Sequence, residues 1–287
     1  MNWFDEALHD QWGGQGYTQR FEVTRTICEI STGHQELVIF ETPRFGRVLA
    51  LDGVVQTTEV DEFCYHEMLA HVPIFAHGQV RDALIVGGGD GGVLREVLRH
   101  DGIGSATLVE IDDTVINVCR EHMPGLSGGA FDDPRCTARI EDGAAFVRDT
   151  DRRFDVIIVD STDPIGPGEV LFTPEFYADC RRCLRENGIL VTQSGVPFLQ
   201  PDELGRVHRS LGSVFSDATF YLTVVPSYVG GYMTLGWASD RPAPREMEPE
   251  ELAERVGRSG LSFKYYSPSI HGSAFALPPF IAEILEA

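Results

Sequence analysis

Ala83-Leu84-Ile85-Val86-Gly87-Gly88-Gly89-Asp90-Gly91-Gly92 is the stretch that decides the fold. Its first four residues are uniformly apolar, as in a strand buried on both faces of a parallel sheet. The glycines that follow allow a tight turn and close backbone approach by a ligand. Val93–His100 reads as a helix, so strand, turn and helix come in the order of a nucleotide-type site. Beyond it, helices and strands alternate. Ala106–Ile111, Cys136–Ile140, Asp155–Val159 and Ile189–Gln193 read as strands. Asp113–His122, Ala144–Asp149 and Pro174–Arg185 read as helices, and Phe63–Val72 as a helix leading in. This alternation predicts a parallel, doubly wound sheet. Phe220–Val225 and Tyr232–Ala238, separated by Gly230-Gly231, predict an antiparallel hairpin at its edge. Arg241–Glu250, rich in Pro and Glu, predicts a surface loop.

The first sixty residues differ. Arg25–Ile30, Leu37–Glu41, Arg47–Leu51 and Val54–Thr57 read as short strands separated by turn residues. Asp52-Gly53 between two apolar runs is a strong hairpin signal. The expected architecture is therefore α/β: a small N-terminal antiparallel β domain over 1–62, and a doubly wound, Rossmann-like catalytic domain over 63–287.

Composition narrows the chemistry. The chain has 287 residues, with 23 Lys and Arg against 44 Asp and Glu, for a net charge of −21. Such a surface repels phosphate backbones and anionic headgroups, so neither nucleic acid nor membrane is an expected partner. The single lysine, Lys264, follows no phosphate-binding loop, which excludes a P-loop NTPase, and its position makes it a poor Schiff-base residue. No apolar run reaches membrane-spanning length, and Met1–Glu6 has no signal-peptide pattern. Six scattered cysteines suit reduced thiols, so a cytoplasmic location is expected.

Ligands of doubly wound sheets bind beyond the C-terminal strand ends. Asp90 lies in the Gly-rich turn after the first strand. Glu110 ends the second, about twenty residues on, where an acidic residue would bind ribose hydroxyls. Asp142-Gly143 follows the third strand. Asp160-Ser161-Thr162-Asp163-Pro164-Ile165-Gly166-Pro167-Gly168 follows the fourth. An acidic group at four successive strand ends predicts a cationic ligand. A dinucleotide, with Arg95 as the nearest candidate cation, is disfavoured.

Gly-Gly-Gly-Asp-Gly-Gly after one buried strand, with Asp-Ser-Thr-Asp-Pro-Ile-Gly-Pro after another, resembles the polyamine aminopropyltransferases, and the spermidine synthases among them. Leu51–Glu59, Asp61–Glu67 and Tyr265–Pro268 support the resemblance, which runs from about His9 to Pro279. Val60 departs from it, since the family usually has Arg there. The resemblance implies a class I methyltransferase-like fold and transfer of an aminopropyl group from decarboxylated S-adenosylmethionine to putrescine, giving spermidine and 5′-methylthioadenosine. It implies that Glu110 holds the ribose, Asp142 with Gly143 the adenine, and that Gln35, Gly87, Gly89 and Pro167 also belong to the nucleoside site. Asp90 would hold the aminopropyl amine. Asp160 would be the base at the attacking amine, helped by Tyr65. His66, Asp163 and Tyr228 would position the diamine, and Gln56 would line its site. The decarboxylated donor is then a co-substrate, with no tightly bound cofactor and no metal. The partners are a small-molecule diamine and a sulfonium nucleoside, in a homodimer or homotetramer built through the β domain.

The chemistry is consistent with these residue types. Positive charge leaves sulfur and builds on nitrogen, so carboxylates accelerate the displacement only if they sit nearer the nitrogen. An amine near pKa ~10 and an aspartate near ~3.9 are mismatched. A closed site must lower the first, raise the second, or both. The segment after Asp160, punctuated by Pro and Gly, is expected to act as a lid.

Other motifs read as structural. Cys180-Arg181-Arg182-Cys183 has no second pair for a metal. His66-Glu67 lacks the second histidine of a zinc helix. Ser194 lacks a nucleophile elbow. Asp132-Asp133-Pro134 reads as a turn. Two competing functions remain open from the residues. One is an amine N-methyltransferase using S-adenosylmethionine, disfavoured by Asp90, which would repel a donor carboxylate. The other is a non-catalytic polyamine-binding protein, disfavoured by the full set of reactive residues. Cadaverine, agmatine and spermidine remain alternative acceptors.

Overall fold

β-branched and aliphatic runs build three sheets in the computed structural model, which describes residues 2–7, 16–164, 166–242 and 244–286, with backbone alone at 166 and 167. The first two strands, β1 (Asn2–Asp5) and β2 (Arg20–Val23), pair antiparallel. The sequence reading did not anticipate them. β3 (Arg25–Ser31), β4 (Glu36–Thr42), β5 (Gly46–Leu51) and β6 (Val54–Thr58) then form a four-stranded antiparallel meander. These are the four expected strands, each within a residue or so. Asp52 and Gly53 both take positive φ (48° and 78°), which is what a two-residue turn matched to strand twist requires.

The large sheet holds β7 (Asp82–Gly87), β8 (Ser105–Glu110), β9 (Cys136–Ile140), β10 (Phe154–Asp160), β11 (Leu184–Gln193), β12 (Asp217–Val224) and β13 (Tyr232–Ser239). Their order is β12-β13-β11-β10-β7-β8-β9. The first five strands in sequence are mutually parallel, and β13 and β12 add antiparallel at one end as the expected edge hairpin. From β7 the chain winds outward through β8 to β9, then crosses back to place β10 on the other side of β7. The switch in strand order therefore lies between β7 and β10, where a crevice opens.

Successive residues of the central strands feed opposite layers. Ile85, Val156, Ile158 and Val191 pack under the helices Phe63–His77 and Gly92–Leu98. Leu84, Val86, Ile157 and Val159 pack with Val147 of the helix Gly143–Asp149 and with Tyr177, Cys180, Leu204 and Leu211 of two further helices. The helix Phe63–His77 runs five residues past its expected end and carries Pro73 inside. Burial from Cys64 to Ala76 holds this helix on all sides and offsets the backbone bond that proline removes. The helix Pro174–Cys183 stops two residues early, because β11 begins at Leu184. Helices at Pro201–Gly212, Pro249–Ser259, Pro268–Ala274 and Pro279–Glu286 were not anticipated, and the expected surface loop ends where Pro249 opens a helix. No helix among the described residues is long and apolar enough to cross a membrane.

Candidate active site

At the strand switch, β7 and β10 are in register with Gly87 opposite Asp160, and the Gly88 amide donates to the Asp160 carbonyl at 2.9 Å. Gly87 has φ +83°, and a Cβ there would lie 2.1 Å from that carbonyl oxygen. Only glycine lets the turn press this close. Gly92 plays the same part for the helix Phe63–His77, since its Cβ would lie 2.2 Å from the His66 ring. Above this contact is a cleft of about 340 Å³. Asp90, Glu110, Asp142, Asp160 and Asp163 all line it, with Gln35, Gln56, Tyr65, His66, Gly87, Gly89, Gly143 and Tyr228. The Pro167 side chain lies outside the described residues. No lysine or arginine among the described residues lines the cleft. Arg95 is committed elsewhere, donating to Glu62, to Glu96 and to the Leu126 carbonyl at 2.6–2.8 Å.

One side of the cleft centres on Asp160. The Tyr65 hydroxyl donates to its Oδ1 at 2.8 Å. Burial, and then repulsion from Asp90, push the Asp160 carboxyl up to about 6. Tyr65 packs near Tyr228 (ring centroids 6.0 Å apart), whose hydroxyl donates to the Gln56 carbonyl at 2.5 Å. The Gln56 amide itself turns back to the Val54 carbonyl. Asp163 is clamped by two amides: Gln193 Nε2 donates to Oδ1 at 3.0 Å and Gln200 Nε2 to Oδ2 at 3.1 Å.

The other side centres on Asp90. Its Oδ1 accepts from the Gly92 amide at 2.7 Å, and Oδ2 lies 3.3 Å from His66 Nε2. His66 Nδ1 meets Glu62 Oε2 at 2.6 Å. Burial favours a neutral ring, but Asp90 and Glu62 outweigh it and hold His66 protonated well above its ordinary range. Its direct partners are thus two carboxylates. Burial lifts Glu110 to about 7, while its Oε1 accepts from the Asp112 amide at 3.0 Å. Asp142 caps the helix Gly143–Asp149, with Oδ1 accepting from the Ala144 and Ala145 amides. Gln35 and Thr32, from the turn between β3 and β4, both donate to Asp112 Oδ2 at 3.1 and 2.7 Å. Leu49 and Leu51 of β5, Val109 and Val115 add apolar wall.

The cleft at the strand switch combines five carboxylates with apolar walls, an arrangement suited to a cationic ligand. Residues 62–247 match the family described as the spermine/spermidine synthase domain, and residues 2–59 match the spermidine synthase tetramerisation domain. The chain belongs to the spermine/spermidine synthase family. Polyamine aminopropyltransferase 1 of Pseudomonas aeruginosa is 54% identical over 285 residues, spanning 99% of this chain and 98% of that protein. The polyamine aminopropyltransferase of Sodalis glossinidius is 53% identical over 282 residues, spanning 98% and 96%. A crystal structure of spermidine synthase in complex with the transition state analogue AdoDATO superposes with a TM-score of 0.93 at 40% identity, covering 99% of this chain and 95% of that one. Spermidine synthase from Thermotoga maritima superposes with a TM-score of 0.90 at 38% identity, covering 99% and 94%. The protein is an enzyme of the polyamine aminopropyltransferase class, with the class I methyltransferase-like fold expected of it.

Within this family site, the polar lining residues that escaped the sequence reading include Glu6, His34, Gln193 and Gln200. Gln193 ends β11, so extending the strand-end rule to a fifth strand would have found it. Glu6 follows β1 and reaches the cleft only through tertiary pairing, its Oε1 accepting from the Val55 amide at 2.7 Å. Glu67 of the His66-Glu67 pair points away from the cleft and accepts from the backbone amides of Lys264, Tyr265 and Tyr266 at 2.8–2.9 Å. It anchors the Tyr265–Pro268 motif. Cys180 and Cys183 are buried thiols.

Proposed function

We propose that the protein transfers the aminopropyl group of decarboxylated S-adenosylmethionine to putrescine, giving spermidine and 5′-methylthioadenosine by in-line displacement. The observation that carries this reading is Asp160: a half-buried carboxylate at the strand switch, oriented by Tyr65 and raised to about 6. In the displacement the amine nitrogen attacks the carbon bound to sulfur. The C–N bond forms, the C–S pair returns to sulfur, and a nitrogen proton passes to Asp160. The shift narrows the gap to an amine at ~10 from about six units to about four. Desolvation of the amine in the cleft supplies the rest of the match.

Asp90 receives the primary ammonium of the donor, and its own neighbour His66 keeps it ionised. Glu110 takes the ribose hydroxyls, and Asp142 with Gly143 the adenine. Gln35, Gly87, Gly89 and Pro167 complete the nucleoside site. His66, Asp163, Tyr228 and Gln56 position the diamine beside Asp160. The N-terminal β unit, 1–62, is read as a domain that builds a homodimer or homotetramer, and 63–287 as the catalytic domain. Free thiols at all six cysteines suit work in the cytoplasm.

The test is mass spectrometry of products after offering S-adenosylmethionine and its decarboxylated form against putrescine, cadaverine, agmatine and spermidine. Spermidine with 5′-methylthioadenosine is expected. S-adenosylhomocysteine would overturn the reading in favour of methyl transfer.

A further inference from the structure

Glu203 is the third residue of the helix Pro201–Gly212 and is 8% exposed. It stands behind the cleft wall and not in it, with Gln200 between. The Gln200 amide nitrogen donates to Glu203 Oε2 and to Asp163 Oδ2, both at 3.1 Å, while Gln200 Oε1 accepts from the Val196 amide at 2.8 Å. One fixed amide group thus joins two carboxyls. Glu203 Oε1 is buried without a hydrogen-bond partner, and no lysine, arginine or histidine among the described residues forms an ion pair with Glu203. The charged and titratable groups facing it are Asp163, Arg206 on its own helix and Tyr177 on the helix Pro174–Cys183. Burial, and then Asp163, push the carboxyl up to about 8.

A buried carboxyl without a cation avoids the cost of a buried charge by keeping its proton, until something else supplies positive charge. Resting on the acceptor reading above, we propose that Glu203 is a positioning residue for the far ammonium of the diamine, acting through Gln200 and Asp163 to favour acceptors charged at both ends. One amine of the acceptor sits at Asp160 for attack. The other reaches the Asp163 end of the cleft, where its charge draws the proton from Glu203. The second carboxylate then reinforces the first. A monoamine of the same length brings no such charge and gains nothing from Glu203.

The experiment compares Glu203→Gln with wild type, using butane-1,4-diamine and butylamine as acceptors and 5′-methylthioadenosine release as readout. The expected result is a loss of about tenfold in kcat/KM for the diamine, carried by KM, the scale of one hydrogen bond to a charged group. Values for butylamine, KM for the donor and kcat at saturating diamine stay within about twofold. An equal loss for both acceptors, or none, would overturn the proposal. Should the variant fold poorly, wild type alone tests it by proton release on binding each amine with 5′-methylthioadenosine present, at pH 8. Glu6, pushed up to about 7, is already ionised there. Extra release with the diamine supports the role of Glu203, and equal release refutes it. Absence of aminopropyl transfer to either amine would instead sink the acceptor reading, and the inference with it.

Discussion

Tyr65→Phe isolates how Asp160 is tuned. The lost contact is a 2.8 Å hydrogen bond from a buried tyrosine to a half-buried carboxylate. Bonds to charged groups contribute about 1.5–3 kcal/mol, or roughly one to two pKa units. This bond favours the ionised carboxylate, so its loss raises the Asp160 pKa from about 6 to about 7–8. At pH 7 the ionised fraction then falls from about nine-tenths to between roughly a half and a tenth. The assay is the pH profile of kcat/KM for the acceptor, read by 5′-methylthioadenosine release. Its acidic limb should move up by one to two units in Tyr65→Phe, with activity recovering as pH rises. Asp90→Asn removes the repulsion that lifts Asp160, so its limb should move down. A limb fixed near 6 in both variants, whatever their rates, would show that Asp160 does not titrate in catalysis.

Asp160→Asn should lower kcat by about 10²–10⁴ while leaving donor affinity, measured by calorimetry, within a few-fold; near-wild-type turnover would remove Asp160 from the mechanism. Gly87→Ala should cost at least about 1–3 kcal/mol in denaturant unfolding, because a Cβ meets the Asp160 carbonyl at 2.1 Å in a positive-φ turn. Gly212→Ala, at a helix end with open space around it, should be neutral or stabilising by up to about 1 kcal/mol. If the net charge of −21 steers its cationic substrates, kcat/KM should fall severalfold from about 0.02 to 0.5 M salt with kcat unchanged. A flat response would leave the surface acidity to solubility.

What was legible in the sequence follows from the range of the forces. The run Ala83–Val86 and the Asp52-Gly53 turn announce themselves because burial on both faces and positive φ are written in neighbouring residues. The strand-end rule then brings Asp90, Glu110, Asp142, Asp160 and Asp163 to one cleft, as the structure shows. Asp142 also shows that one residue can cap a helix and line the cleft. The pair β1 and β2 was hidden because each strand has four residues and its partner lies beyond a long intervening segment. Glu6 depends on that pairing. The later helices had a local signal that went unused, since Pro201, Pro249, Pro268 and Pro279 each stand at a helix start, where proline is favoured.

The Tyr228 bond to the Gln56 carbonyl joins residues 172 positions apart, and the Ser227 amide reaches Asp61 Oδ2 across 166. Contacts so distant along the chain carry a large loop-closure cost and form after local ones. The side of the cleft around Tyr228 and Gln56, proposed above to hold the acceptor, is therefore among the last parts of the molecule to assemble. A nascent chain still lacking β12 and β13 has its glycine turn and Asp160 but no closed wall, so it holds its reactive carboxylates in water. Catalytic competence arrives with completion of the fold, and in refolding experiments recovery of turnover should trail recovery of helical signal.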